Sequence, residues 1–364
     1  MSRPNRRRVL QATGAALAAA LAGCQDGSSN NTDEPSDGTG GGGTTGTPTG
    51  TDDGSSGQNA ADLEPVTVNE DWHLYQVDAQ NTGFTENTMP SGEIEQRWQL
   101  PVEDGQGVPA QPIIADGTLY LVDGEGFLRA LDPSDGSEKW SADRAAENVT
   151  PAYADGRVFI NGLYDNWEAF DADTGDRLWR ETKLIGDTPH TVADGTVYGA
   201  KGGVIQAADA STGERLWQTR LNEAGATEGA VAVADGRVIA SVAGGETPQT
   251  AAIDAESGEI LWRHEVNGGL KSAPTVADGS VYVPRRNGTV HALNQETGDE
   301  QWSIETEDLS SGVNYNDGSL YLHGDFHLMA VDANSGDQEW KVDSEYSAGI
   351  LSSDGLLCTS SGEI

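Results

Sequence analysis

The sequence is poor in cysteine, in aromatic residues near its N-terminus and in long apolar runs. Only two cysteines occur among 364 residues, Cys24 and Cys358, which excludes a disulfide framework as the source of stability. The apolar run at 11–23 is too short to span a bilayer. No aromatic residue precedes Trp72, so the first part of the chain lacks the side chains that build a core.

Basic residues, lysine above all, are also scarce. Five Lys and sixteen Arg face 59 acidic residues, and the net charge is −38. Such a field repels nucleic acid and anionic lipid, so neither is expected as a partner. One interpretation is simply a solvated, self-repelling surface. The interpretation we favour is adaptation to very high salt, that is, a halophilic protein, because salt screens this repulsion.

The N-terminus has the pattern of an export signal. Residues 1–23 combine a basic region containing the paired Arg6 and Arg7 with a short apolar run, as in a twin-arginine (Tat) signal peptide. Cys24 follows Leu-Ala-Gly, which resembles a lipobox, so we predict a lipoprotein anchored through Cys24 on the extracellular face of the cell membrane. The alternative is an ordinary cleavable signal with an incidental cysteine.

Residues 24–68 are rich in Gly, Ser, Thr and Asp and predict a disordered tether. A flexible coil of this length would reach roughly 35 Å. One folded domain is predicted over 69–364.

That domain consists of repeats of about forty residues. Asp-Gly between two apolar runs predicts a hairpin, and a later Asp-x-x-Thr/Ser-Gly turn precedes a strand that ends in tryptophan. Four short antiparallel strands, A to D, make one blade of an all-β propeller. We predict seven blades, with eight as the alternative. One structural tryptophan per blade is expected to cover the seam between neighbours: Trp98, Trp140, Trp179, Trp217, Trp262, Trp302 and Trp340.

The seventh blade is predicted to be closed by both termini. Its first two strands fall near 346–352 and 356–360, after which the sequence stops. Residues 93–100 carry Trp98 and are expected to supply the outer strand. Residues 73–83 resemble 327–336, so we predict that they supply the missing third strand; the alternative is a clasp outside the ring.

Alternating carboxylates in turns such as DADTGD (171–176) resemble calcium ligands only superficially. They lack the number of ligands and the terminal Glu of an EF-hand loop. Their recurrence in six repeats indicates a structural turn, so we predict no metal site.

The repeats, written A-D-G-x-V-Y…G-x-L-x-A-L-D-A-x-T-G-x-x-x-W, resemble the pyrroloquinoline-quinone-like (PQQ-like) β-propeller family over about 70–364. The resemblance implies one of two branches. One comprises larger quinoprotein dehydrogenases that bind PQQ and calcium over the central funnel. The other comprises non-enzymatic scaffolds, including the lipoprotein of the outer-membrane assembly machinery. The vicinal cysteine pair expected of the first branch does not occur, so the second is favoured, with no cofactor and no catalytic residue.

Ligand-binding residues are expected on the face that carries the B–C and D–A connections, because these vary between repeats. Arg285 and Arg286 could hold an anionic group or form a local ion pair. Tyr164 and Trp167 could form a stacking platform or pack in a seam. His323 and His327 flank Asp325, which suggests a metal site, but the sequence shows no further ligand to complete it.

Three function classes follow. The favoured one is a surface-tethered scaffold that binds a protein or small ligand. The others are a PQQ-dependent oxidoreductase and an extracellular solute-binding or sensing component.

Overall fold

The computed structural model describes residues 9–11, 74, 77–85, 98–99, 110–142, 149–162, 166–223, 225–227, 229–244, 248–265, 269–270, 272–306, 309, 312–324, 327–343, 348–353 and 356–360. These residues form strands and turns without a helix. Within these ranges there is accordingly no apolar helix of the length that crosses a membrane.

Two short strands, β1 (Val9–Gln11) and β2 (Phe84–Thr85), precede six antiparallel sheets. Sheet one holds β3 (Ile113–Ala115), β4 (Thr118–Val122), β5 (Leu128–Leu131) and β6 (Glu138–Ala142). Sheet two holds β7 (Ala152–Ala154), β8 (Arg157–Gly162), β9 (Asn166–Asp171) and β10 (Arg177–Glu181). Sheet three holds β11 (Thr191–Ala193), β12 (Thr196–Lys201), β13 (Val204–Asp209) and β14 (Arg215–Arg220).

Sheet four gains an extra short strand and holds β15 (Ala226–Thr227), β16 (Ala232–Ala234), β17 (Arg237–Ala243), β18 (Gln249–Asp254) and β19 (Ile260–Glu265). Sheet five holds β20 (Thr275–Ala277), β21 (Ser280–Pro284), β22 (Thr289–Asn294) and β23 (Glu300–Glu305). Sheet six holds β24 (Val313–Asn316), β25 (Ser319–His323), β26 (His327–Asp332) and β27 (Gln338–Asp343). A seventh, mixed sheet contains β28 (Ala348–Ser353) and β29 (Leu356–Ser360), flanked by β1 and β2.

The sheets lie side by side, as the blades of a propeller do. Their first strands contact one another in the order β3, β7, β11, β16, β20, β24, β28. The apolar core is divided accordingly into clusters at the seams between successive sheets. Strands such as β17 are buried along almost their whole length because both faces are covered by neighbouring sheets. The fourth strands have one covered face and expose Leu178, Leu216 and Leu261. The predicted all-β propeller is confirmed; the number of blades stays a prediction.

The Asp-Gly hairpins have the backbone that their sequence predicts. In the six complete sheets both residues have positive φ, for example 48° at Asp194 and 73° at Gly195, as a type I′ turn requires. The remaining pair, 354–355, lies outside the described residues.

Each Asp-x-x-Thr/Ser-Gly turn is a docking place for the tryptophan of the preceding sheet. In sheet two, Gly175 N donates to Asp171 O at 2.9 Å, and the Thr174 amide donates to the Asp171 carboxylate. A Cβ on Gly175 would lie 2.7 Å from the Trp140 ring, whose Nε1 donates to Ala172 O at 2.8 Å. The same pairing recurs for Trp98, Trp179, Trp217, Trp262 and Trp302.

Trp98 therefore occupies the seam position ahead of sheet one. Its Nε1 donates to Pro133 O at 2.9 Å, and its ring covers Gly136. The rest of the predicted outer strand at 93–100, apart from Trp98 and Gln99, lies outside the described residues.

The predicted role of 73–83 as a third blade strand is wrong, and so is the outside clasp. Backbone carbonyls of Ala79, Gln80 and Thr82 accept hydrogen bonds from Val233, Val276 and Tyr315, on the inner strands β16, β20 and β24. The chain then enters β2, which pairs parallel with β28. This segment, residues 78–85, thus crosses the inner edges of sheets four to six and ends on the seventh sheet.

Side chains tie segment 78–85 to the same inner strands. Asn81 is buried with a φ of 58°, and its Nδ2 donates to Pro274 O at 3.1 Å. Asn314 Nδ2 donates to Gly83 O at 3.0 Å. The free edge of β29 is instead covered by β1, which lies within the segment predicted to be removed as an export signal.

Candidate functional site

The propeller has two chemically different faces. On one, which we call the turn face, a hydrogen bond ties the two turns of a sheet together in sheets two to six: Ala172 N donates to Gly156 O, and Ala210 N to Gly195 O, at 3.0 and 2.9 Å. The equivalent bond recurs in sheets four, five and six. The turn face is therefore nearly the same from one sheet to the next.

The opposite face, the variable face, carries the connections between second and third strands and between successive sheets. Sheet three has only Gly202–Gly203 there, whereas sheet four has 244–248 and sheet five has 285–288. These loops pair with different parts of the chain. Arg286 N donates to Gly269 O in the chain that enters sheet five, and Leu221 N, in the chain that leaves sheet three, donates to Gly203 O, both at 2.9 Å. Sequence differences between repeats are therefore concentrated on this face.

The two arginines predicted as ligand residues do lie on the variable face, but their environments differ. Arg285 is completely buried, and its Nε and both terminal nitrogens have no hydrogen-bond partner among the residues that the structure describes. Burial lowers the pKa of Arg285 to about 10, so it stays charged at neutral pH. Arg286 packs its side chain near Gly269. The ion-pair alternative is thus wrong for Arg285.

Trp167 does not form an exposed stacking platform, and that prediction is wrong. The ring is fully buried in the seam between sheets two and three, where it meets the His190 ring edge-on at 4.6 Å between centroids. The packing alternative describes its position. Tyr164, its proposed companion, lies outside the described residues.

The seam around Trp167 is unusually polar. His190 is fully buried, and within the described ranges its two ring nitrogens have no hydrogen-bond partner. Burial lowers its pKa to about 3, so the imidazole is neutral at pH 7. Asn161 Nδ2 donates to Thr188 O at 2.7 Å. Asn161 Oδ1 and Trp167 Nε1 have no hydrogen-bond partner among the described residues. A Cβ on Gly186 would lie within 2.7 Å of both unpaired atoms, so glycine is needed there.

His323 and His327 are both buried and lie at the two ends of one loop, where Gly324 N donates to His327 O at 2.9 Å. Asp325 lies outside the described residues. In the ranges that are described, no group of three or more His, Cys, Asp or Glu side chains is arranged to hold a metal ion.

The sequence analysis missed a histidine–carboxylate cluster on the outer strands. His291 Nδ1 lies 2.9 Å from Glu300 Oε2, and His264 Nε2 lies 3.9 Å from the same oxygen. The hydrogen bond from His291 lowers the pKa of Glu300. The pairing of β22 with β23 brings His291 near Glu300, whereas His264 comes from β19 of the neighbouring sheet, and no local motif marks these residues.

It also missed a recurrent contact between sheets. Tyr153 and Tyr315 each donate a hydrogen bond to the hairpin aspartate of the preceding sheet, Asp116 and Asp278 respectively. Burial, followed by this bond to a carboxylate, raises the pKa of Tyr315 to about 12.

The family model described as outer membrane protein assembly factor BamB matches residues 90–201, 200–341 and 286–360, well over half of the sequence. The chain belongs to this BamB family.

A curated relative is the outer membrane protein assembly factor BamB of Shewanella oneidensis, 27% identical over 200 residues. The match covers 53% of this chain and 43% of that protein, so the chain matches less than half the length of this relative.

Solved structures show the same fold. BamB from Moraxella catarrhalis superposes with a TM-score of 0.62 at 20% identity, covering 72% of this chain and 82% of that one. Quinohemoprotein alcohol dehydrogenase from Comamonas testosteroni gives a TM-score of 0.63 at 16% identity, covering 78% and 69%. The BamB family and quinoprotein dehydrogenases therefore share this architecture.

The vicinal cysteine pair that the resemblance associates with PQQ does not occur in this sequence. Its two cysteines are far apart in sequence, and Cys358 lies in β29. On the inner edges of sheets four to six, backbone donors that face the axis are used by segment 78–85.

Proposed function

We propose that this member of the BamB family is a lipid-anchored scaffold that binds a protein partner through its variable face. The observation that carries the proposal is the contrast between the two faces. Hydrogen bonds repeat on the turn face, whereas the loops of the variable face differ in length and chemistry. Rigid scaffolds with varied loops are typical of binding proteins.

Family membership supports a protein as the partner, since the relatives are named outer membrane protein assembly factors. Export through Arg6 and Arg7, lipid attachment at Cys24 and a tether over 24–68 would place the propeller outside the cell membrane. The self-repulsion of the acidic surface would be screened in concentrated salt.

Site-specific photo-crosslinking tests which face binds. A photoreactive amino acid is placed at Lys183 or Asn287, exposed positions on the variable face, in the lipid-anchored protein in its native cells. The matched controls are Asp173 and Glu256, exposed positions in turns of the opposite face. We expect the same partner to be crosslinked from Lys183 and Asn287 only. Crosslinks from the turn face alone, or equally from both faces, would contradict the proposal.

A second candidate is a quinoprotein-like oxidoreductase. It is favoured by the fold shared with quinohemoprotein alcohol dehydrogenase and by partial sequence similarity to the dehydrogenase subunit of a quinone-type alcohol dehydrogenase. This candidate, unlike the scaffold, predicts enzymatic turnover when PQQ and calcium are added to the purified protein. The third candidate, a solute-binding or sensing component, would use the same variable face for a small ligand instead of a protein.

A further inference from the structure

Hydrogen bonds of its backbone groups fix the position of Arg285. It follows β21, its amide donates to Thr289 O at 2.8 Å, and its carbonyl accepts from Gly288 N at 3.1 Å. It also forms a β-bridge with Leu270. A tight turn and a neighbouring chain therefore fix where the side chain begins, and the guanidinium does not reach solvent.

A buried cation without a counter-charge is costly. Guanidinium groups inside proteins are ordinarily paired with a carboxylate or satisfied by several acceptors. The chain has 59 acidic residues, yet none of those that the structure describes pairs with Arg285, and its three side-chain nitrogens are unsatisfied. The described part of the chain therefore supplies no acceptor that would balance this charge.

The seam that Arg285 faces supplies further donors. Alternation along β21 puts Arg285 on the same face as Val283, which packs with Ile239 and Leu270 against sheet four. On the facing side of sheet four, Ser241 and Thr250 are buried, and their hydroxyl oxygens lie 2.9 Å apart. Two hydroxyls that share one hydrogen bond retain one free O–H donor.

We propose that a chloride-sized monovalent anion is bound in the seam between sheets four and five, with the Arg285 guanidinium as its principal ligand. The Ser241–Thr250 pair lies on the same seam and offers an additional donor. Complete burial excludes a side chain from another protein as the occupant. The anion joins two blades, so it is a structural ligand, and the site is independent of the partner-binding role proposed for the variable face.

The site is tested first by crystallising the mature protein from sodium bromide. We expect an anomalous bromide peak within hydrogen-bond distance of the Arg285 guanidinium. Absence of the peak, or a carboxylate or an ordered water on the guanidinium instead, would overturn the proposal. This measurement needs no variant, so it stands even if a substitution at Arg285 prevents folding.

Thermal unfolding gives a second, independent measurement. At equal ionic strength, wild-type Tm is expected to be higher in sodium chloride than in sodium gluconate, with a difference that saturates with chloride. Arg285→Met should abolish this difference. The control Arg215→Met, at an exposed position, should retain it. An equal chloride effect in Arg285→Met, or no effect in wild type, would show that no such site exists.

Discussion

At the scale of the residue, glycine and tryptophan explain why the repeat has its spacing. A left-handed glycine closes the Asp-x-x-Thr/Ser-Gly turn, and the lack of a Cβ lets the preceding sheet's indole lie directly on it. The indole N–H then donates to the carbonyl of the residue three positions before that glycine. One glycine thus serves both the turn and the seam.

Two glycines of sheet three allow the effect of backbone strain to be measured separately from the effect of the contact with the indole. Gly195 and Gly213 have φ values of 73° and 74°, but a Cβ on Gly195 would meet nothing within 4 Å, whereas one on Gly213 would lie 2.7 Å from the Trp179 ring. Gly195→Ala should lower the free energy of unfolding by about 1 kcal/mol through backbone strain alone. Gly213→Ala should cost a further 1–3 kcal/mol, roughly, from overpacking. Denaturant titration measures both, and equal losses would contradict the docking role of the glycine.

His190 predicts an acid-sensitive stability. Burial lowers its pKa to about 3 in the folded protein, below the ordinary value of 6.5. Because the pKa of His190 is lower in the folded than in the unfolded protein, its stabilising contribution is complete at pH values above the unfolded-state pKa of 6.5. This contribution is lost as the pH falls from 6.5 towards 3. Between pH 7 and pH 5 the wild type should lose about 2 kcal/mol more than His190→Gln.

The matched control for this experiment is His264→Gln, because His264 is partly exposed and bonds Gly298 O. It should keep the wild-type acid sensitivity in denaturant titrations at the two pH values. An identical loss in His190→Gln and wild type would show that His190 is not buried in the neutral form.

At the scale of the element, segment 78–85 is the main departure from the sequence-based prediction. Its likeness to 327–336 is a likeness of turn chemistry: Asp78 accepts from the Thr82 amide at 2.9 Å, much as Asp332 accepts from the Ser335 amide. Local chemistry predicts the turn but not the strand's place in the ring. The same limit explains Trp167, whose burial depends on a neighbouring sheet.

Asn81 provides the test of how much this segment contributes. Asn81→Ala removes the donor to Pro274 O and places alanine at a φ of 58°. We expect a loss of about 2–3 kcal/mol in the free energy of unfolding. Asn334→Ala, at an exposed turn position, should change it by less than about 0.5 kcal/mol. Similar small effects of both substitutions would show that the segment is only loosely attached.

At the scale of the whole molecule, the repeat predicted the architecture because each blade has the same turns and the same tryptophan. The turn face was predictable from the sequence for that reason. The buried cation at Arg285 and the histidine–carboxylate cluster at Glu300 were not, since they depend on the packing of neighbouring strands and sheets that the repeat does not encode.

The net charge of −38 makes a prediction of its own. Screening of acidic repulsion should raise Tm steadily as salt increases from low to molar concentration. This rise should also occur in sodium gluconate, which distinguishes it from the chloride-specific effect. A flat or falling Tm in gluconate would contradict the proposed adaptation to high salt.

The central claim is that this propeller binds and does not catalyse. It is tested most directly by dye-linked oxidation of alcohols with the purified mature protein, in molar salt, before and after addition of PQQ and calcium. The account predicts no dye reduction above the protein-free rate under either condition. Dye reduction that depends on the protein and on both additions would contradict it.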